Sequence, residues 1–271
     1  MNTAKTAIHF TDNYLLNPTN PISVNLIGAG GTGSKVLTAL MEINESLIAL
    51  GHAGLQVRLW DDDVITNANL GRQRFFECET GLHKSVALIN RINRCIGTNW
   101  KAETVKFEKD KFGRMPEKAR AIITITCVDN VQARFGVAEI LKEISYRRHY
   151  QDEPKYWLDF GNSQDTGQVL LSTIGEIKQP NSEKYQTVAS LPFVTDEFGE
   201  LLKQSEQEDN TPSCSLAEAL EHQDLFINSS LTQMGCSLLW NLFRRGMTEY
   251  KGFFYFERFS LFGIWCGLME R

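Results

Sequence analysis

Residues 22–27, ISVNLI, run directly into Gly28-Ala29-Gly30-Gly31-Thr32-Gly33, and the following SKVLTALMEINESLIAL carries apolar residues at helical spacing as far as Gly51. This order predicts a strand, a glycine turn and a helix. Glycines at G-x-G-x-x-G spacing permit a tight turn and a close approach of backbone to phosphate. The helix that follows offers unpaired N–H groups at its start. The spacing is informative because a strand precedes it and a helix follows. A nucleotide-phosphate role is therefore favoured over a purely structural turn.

The alternation continues. LQVRLW reads as a second strand ending in Asp61-Asp62-Asp63, and a helix is expected from about Thr80 to Ile96. AETVKF at 102–107 reads as a strand, AIITITCVD at 121–129 as a fully buried strand, and residues 130–150 as an amphipathic helix. KYWLDFG and QVLLSTIG read as two further strands, and the turn residues between them suit an antiparallel edge. The expected fold is α/β, a Rossmann-like doubly wound, mostly parallel sheet with antiparallel edge strands. From Glu176 to Pro212 the chain is polar, holds three of the seven prolines and lacks periodicity, as expected of a functional or mobile loop. A helix near 224–245 and two aromatic-rich runs, GFFYFERF and LFGIWCGLM, follow.

Composition narrows the function classes. Lys and Arg total 28 against 33 Asp and Glu in 271 residues, so no global positive field exists to gather nucleic acid or anionic membrane. The cluster Arg147-Arg148-His149 and the run from Lys101 to Arg120 read as solvated faces, since Glu103, Glu108, Asp110 and Glu117 intersperse the latter. The N-terminal stretch has neither an apolar core nor a cleavage site, and no segment approaches about 18 uninterrupted apolar residues, so a cytoplasmic location is expected. Six scattered cysteines without a C-x-x-C pair, and only five histidines, point to free thiols and argue against structural zinc. Any metal is expected to arrive with a phosphate ligand.

Asp61 ends the second strand, where a carboxylate can accept from ribose hydroxyls. The polar set that follows, with Asn69, Arg72, Gln73, Lys84 and Asp129-Asn130, exceeds what hydride transfer needs and suits charge neutralisation on a triphosphate. In this order the chain resembles the ThiF/MoeB adenylating family, relatives of the ubiquitin-activating enzymes. The family pattern is G-x-G-G-x-G, then D-x-D-x-V-x-x-S-N-L-x-R-Q, a Lys, and D-N-x-x-x-R. Here Ala68 stands at the usual Ser. Gly161 through Gly167-Gln168-Val169 matches the family's later glycine segment, and the tail INSSLTQMGCSLLWNLF resembles the ThiF-like member of the bacterial PRTRC gene cassette.

The resemblance implies one adenylation domain over 1–271, with a nucleotide-binding core at 22–175, a crossover-type loop at 176–212 and a C-terminal helix and strands at 213–271. It implies ATP with Mg²⁺ as cofactors, held by Gly28, Gly30, Gly31, Gly33, Asp61, Asp63, Asn69, Arg72, Gln73, Lys84, Asp129 and Asn130. Arg72, Lys84 and Asp129 are the residues implied in catalysis, with Asp129 holding the metal. The implied reaction adenylates the C-terminal carboxylate of a small ubiquitin-like (β-grasp) protein, with a homodimeric enzyme. Cys214, in Pro212-Ser213-Cys214-Ser215-Leu216, resembles the family's thioester cysteine, and a helix start there would lower its pKa.

Departures from the family pattern accompany the match. Dimeric relatives place an N-terminal arginine in the partner's site, whereas no arginine precedes Arg58 here. Lys5 and Arg74 are the candidates to replace it. Arg72 and Lys84 read alternatively as solvated charges, and Asp129 as a helix cap. A catalytically silent nucleotide-binding scaffold and an NAD-dependent oxidoreductase stay open as rival functions. Cys127, Cys236 and Cys266 read as core residues, while Cys78 and Cys95 carry no signal.

Overall fold

A computed structural model of the chain describes residues 5–71, 73–146, 153–162, 166–205, 225–256 and 260–267. The strand ISVNLI is β2 (Ile22–Ile27), preceded by β1 (Ala7–Phe10) and a short α1 (Asn13–Leu16). The glycine turn leads into α2 (Gly31–Ala49), then β3 (Leu55–Trp60), α3 (Lys84–Ile96), β4 (Lys101–Glu103), β5 (Ile123–Thr126) and α4 (Val131–Tyr146). β6 (Tyr156–Asn162) and β7 (Gly167–Thr173) follow, then β8 (Gln186–Thr187), α5 (Val194–Glu197) and α6 (Gly199–Ser205). The last elements are α7 (Ile227–Arg245), β9 (Met247–Thr248), β10 (Tyr250–Phe256) and β11 (Ser260–Trp265).

Eight strands form one sheet in the order β11-β10-β7-β6-β5-β2-β3-β4. β6, β5, β2, β3 and β4 run parallel, whereas β7, β10 and β11 pair antiparallel. The sheet is therefore doubly wound, with the chain moving outward from β2 to β3 and β4 on one side and returning to β5 and β6 on the other. β1 joins β8 and β9 in a separate three-stranded sheet.

Alternation along the strands builds two cores. Val24, Leu26, Val57, Leu59, Ile123, Ile125, Leu158 and Phe160 point to one face, under α2, α3 and α7. Ile27, Trp60, Trp157 and Leu170 point to the other, with Val137 and Leu141 of α4 and Phe193, Val194 and Leu202 around α5 and α6. No described helix is long and apolar enough to cross a membrane.

Four sequence expectations are corrected. The helix expected from Thr80 starts at Lys84, because a 3-10 turn at Glu77–Glu79 and Gly81, at φ +88°, occupy the preceding residues. The strand expected at 102–107 ends at Glu103, and Phe107 is buried instead by an edge-to-face contact with Trp60 at 5.1 Å. The antiparallel edge is β11, beyond β7 and β10, so the last aromatic-rich runs complete the sheet. Over 176–205 the aperiodic segment contains β8, α5 and α6 and buries Ile177, Leu191, Phe193 and Val194. The rest of that segment, 206–212, and the basic cluster at 147–149 lie outside the described residues.

The small sheet carries a pH-sensitive contact. His9 is fully buried, with Nδ1 2.7 Å from the Val188 carbonyl and Nε2 3.1 Å from the Tyr156 hydroxyl. That hydroxyl also accepts the Asp12 N–H at 2.9 Å. These partners assign the proton to Nδ1 and leave Nε2 to accept from Tyr156, so a second ring proton would break the chain of bonds. Burial holds the His9 pKa below 6.5. The unfolded chain then binds the extra proton first, so this stabilisation is complete above pH 6.5 and declines as pH falls towards the folded value. The decline is expected at no more than about 1.4 kcal/mol per pH unit. Urea denaturation between pH 7.5 and 5 should show a slope that His9→Asn flattens.

Candidate functional site

Gly28 follows β2 at φ +94°, and a Cβ there would lie 2.6 Å from the Cys127 carbonyl oxygen. Only glycine passes β2 this close to the end of β5. A Cβ on Gly33 would lie 1.9 Å from the Gly28 carbonyl oxygen, so this second glycine lets α2 sit tightly against the turn. Gly30 is the N-cap of α2 and has no heavy atom within 4 Å of its would-be Cβ. Its absent side chain leaves open space above the helix start.

That space is a cleft of about 630 Å³ beyond the carboxyl ends of β2, β3 and β5, where the winding of the sheet reverses. Four helices start on its wall. Gly30, Gly31 and Thr32 line it from α2, Lys84 from α3, Asn130, Gln132 and Ala133 from α4, and Asn228 from α7. Their positive ends converge on one volume, an arrangement suited to an anion. Trp60, Phe107, Gly136 and Val137 also line the cleft and give it an apolar stretch of wall.

Acidic side chains share the walls. Asp61 accepts the Ala29 N–H on Oδ2 at 2.6 Å and the Asp63 N–H on Oδ1 at 3.1 Å. Burial raises its pKa, and the Ala29 N–H and Lys84 oppose that rise. Each oxygen keeps a further lone pair for a hydroxyl donor. Asp63 holds Lys84 Nζ at 2.8 Å; the lysine side chain is 8% exposed and the carboxylate 64%. Lys84 is thus a buried, aimed cation, and its alternative reading as a solvated charge is corrected.

Asp129 and Asn130 lie exposed at the mouth of β5. Asn130, not Asp129, caps α4, accepting the Ala133 N–H at 2.7 Å. The capping alternative for Asp129 is corrected accordingly, and its carboxylate stands on the cleft wall beside the Asn130 amide, 3.3 Å away. Among the described residues no group of three or more His, Cys, Asp or Glu could hold a metal by itself. A divalent ion here would need ligands from a phosphate as well as from Asp129.

Gln73 also lines the cleft, buried, with Oε1 lacking a hydrogen-bond partner among the described residues. Asn69 is placed differently: its Oδ1 accepts the Thr66 N–H at 2.8 Å and the Thr66 hydroxyl at 3.1 Å, and it is not among the lining residues. Arg72 and Cys214 lie outside the described residues. Cys127 is a half-buried residue of the cleft wall and not a closed core residue, with its thiol held well above the ordinary range by burial. Cys236 and Cys266 are buried, their thiols pushed up to about 12.

Two features of the site escaped sequence reading. Arg134, the last residue of the D-N-x-x-x-R pattern, is buried against Asp159 at 2.9 Å and donates to the carbonyls of Val128 at 3.2 Å and Phe160 at 3.0 Å. Its position one helical turn after Asn130 was the available signal. Asn228, distant in sequence, carried none.

Residues 13–255 match the model of the ThiF family. The chain belongs to the ThiF family. A search of curated proteins finds no match. Among solved structures this ThiF family chain is similar to Escherichia coli MccB. For MccB alone the TM-score is 0.58 at 14% identity, covering 93% of this chain and 63% of that one. For MccB with ATP the TM-score is 0.56 at 14% identity, covering 93% and 65%. For MccB with MccA it is 0.57 at 15% identity, again covering 93% and 65%. The chain therefore spans a little under two thirds of MccB, and the likeness is one of fold.

Proposed function

We propose that this ThiF family chain binds ATP with Mg²⁺ in the cleft and adenylates the C-terminal carboxylate of a small partner. The observation that carries the reading is the convergence of four helix N-termini and buried Lys84 on a cleft that also presents Asp61 and Asp129. The apolar wall that includes Trp60 and Val137 takes the base, Asp61 accepts from the ribose, and the turn at Gly28, Gly30, Gly31 and Gly33 receives the phosphates. Lys84, oriented by Asp63, neutralises phosphoryl charge together with Arg72, and the Gln73 amide donates from the cleft wall, while Asn69, held by Thr66 outside the lining, orders the loop that carries them. Asp129, beside Asn130, would hold Mg²⁺, which shields charge on the departing pyrophosphate.

In the reaction a carboxylate oxygen attacks the α-phosphorus. The bond to the bridging oxygen breaks, and pyrophosphate leaves with the electron pair. Alignment and charge stabilisation suffice, so no protein nucleophile is required for this step. The partner is a ubiquitin-like β-grasp protein, and the structure of MccB with MccA supports a small partner. Cys214 then takes the acyl group as a thioester, releasing AMP. We assign the chain to the PRTRC subtype, one adenylation domain acting as a cytoplasmic homodimer. Family likeness and the tail sequence support that assignment.

Calorimetric titration with ATP and Mg²⁺, and with NAD in parallel, tests the reading. The wild type should bind ATP and not NAD. Asp129→Ala should weaken binding of the magnesium complex about tenfold or more, the scale of one charge-assisted contact, with a much smaller effect in EDTA. NAD binding without ATP binding would make the protein an oxidoreductase. Binding of neither would overturn the nucleotide reading of the cleft.

A further inference from the structure

The glycine at position 31 is not needed for backbone conformation, since Gly31 is absent from the glycines with positive φ. Its reason is spatial. A Cβ there would lie 2.6 Å from Asn228 Nδ2 and 3.0 Å from its Cγ. The carboxamide from α7 thus occupies the volume that a side chain on α2 would take. Its orientation is set from the other side, because the Thr32 hydroxyl donates to Asn228 Oδ1 at 2.7 Å within a buried contact. Thr232 anchors the Asn228 carbonyl at 2.7 Å, and α7 packs along α2. With its oxygen committed to Thr32, the amide group turns its NH₂ end to Gly31, on the cleft wall and one residue from the α2 N-cap.

We infer that Asn228 is a binding residue for the phosphoryl oxygens of the nucleotide, a side-chain donor added by α7 to the N–H groups of the first turn of α2. Gly31 is glycine to admit it. The inference rests on the ATP reading of the cleft. It differs from that reading in making α7, far along the chain, part of the phosphate site. An aspartate at 228 would keep the shape and the acceptor for Thr32 while replacing the donor by a negative charge facing phosphate.

The test is calorimetric titration of wild type, Asn228→Asp, Asn228→Ala and Asn228→Ser with ATP and, as a phosphate-free probe, adenosine. Asn228→Asp should weaken ATP roughly thirtyfold or more and the two neutral variants about tenfold, the scale of losing a hydrogen bond to a charged group. Adenosine affinity should stay within about twofold, because a residue acting through the phosphates leaves the nucleoside end untouched. Gly31→Ala should weaken ATP in the wild-type background but add little to Asn228→Ala, since the truncated residue leaves room for the methyl. Equal loss of ATP and adenosine, wild-type ATP affinity in Asn228→Asp, or additive effects of Gly31→Ala and Asn228→Ala would each overturn the inference. A wild type without ATP affinity would overturn the reading of the cleft as well, and is distinguished by that.

Discussion

Gly33→Ala is expected to lower stability by about 3 kcal/mol or more, at the upper end of overpacking costs. The added methyl carbon would lie 1.9 Å from the Gly28 carbonyl oxygen and 2.8 Å from its carbon, both backbone atoms. A flexible side chain could swing away, but here either the turn or α2 must move. The turn has little room beside it, since even a Cβ on Gly28 would lie 2.6 Å from the Cys127 carbonyl oxygen. The helix propensity of alanine returns about 1 kcal/mol and does not offset this. For a chain of this size the melting temperature should fall by roughly 6–12 °C. Gly30→Ala is the matched control: nothing lies within 4 Å of its Cβ, so the fold should be retained while the methyl enters the cleft and weakens ATP. A melting temperature within about two degrees of wild type for Gly33→Ala would show that the turn yields, contrary to this account.

The contrast between these glycines marks what sequence can show. The strand, turn and helix at 22–49 are readable because β-branched run, glycine spacing and helical periodicity agree. The sequence does not say that Gly33 and Gly28 are glycines for packing, Gly30 for open space and Gly31 for Asn228. That depends on what β5 and α7 bring to the turn. Asp61 and Lys84 are readable by motif, but the burial of Lys84 and its tether to Asp63 follow only once α3 is seen to begin at Lys84 itself. Residues 176–205 are unreadable for a different reason. Of their buried side chains, Ile177 and Leu191 lie outside any helix or strand and Leu202 sits in the seven-residue α6, so too little regular structure exists for a repeat to form. The overlong strand at 102–107 arises because Phe107 is apolar for a lateral contact with Trp60, which alternation cannot distinguish from pairing.

Arg134→Met should be the most damaging substitution outside the glycine turn, at about 3–5 kcal/mol, because it leaves a buried charge unpaired. The side chains of Arg134 and Asp159 are 5% and 0% exposed. Asp159 Oδ1 also accepts from the Thr126 hydroxyl, which in turn accepts from Trp157 Nε1 at 2.9 Å, while Oδ2 has no hydrogen-bond partner among the described residues. Without the guanidinium that carboxylate is left with one neutral donor at a buried position. The double variant Arg134→Met/Asp159→Leu should regain most of the stability, as buried ion pairs replaced together by apolar side chains commonly do. It should not regain nucleotide affinity. Arg134 also ties the Val128 carbonyl, immediately before Asp129, to the Phe160 carbonyl on β6, and that tie sets where the Asp129 carboxylate stands. Thermal melts and ATP titrations on the same three proteins separate the two roles. Parallel recovery of stability and ATP affinity in the double variant would mean that Arg134 serves the fold alone.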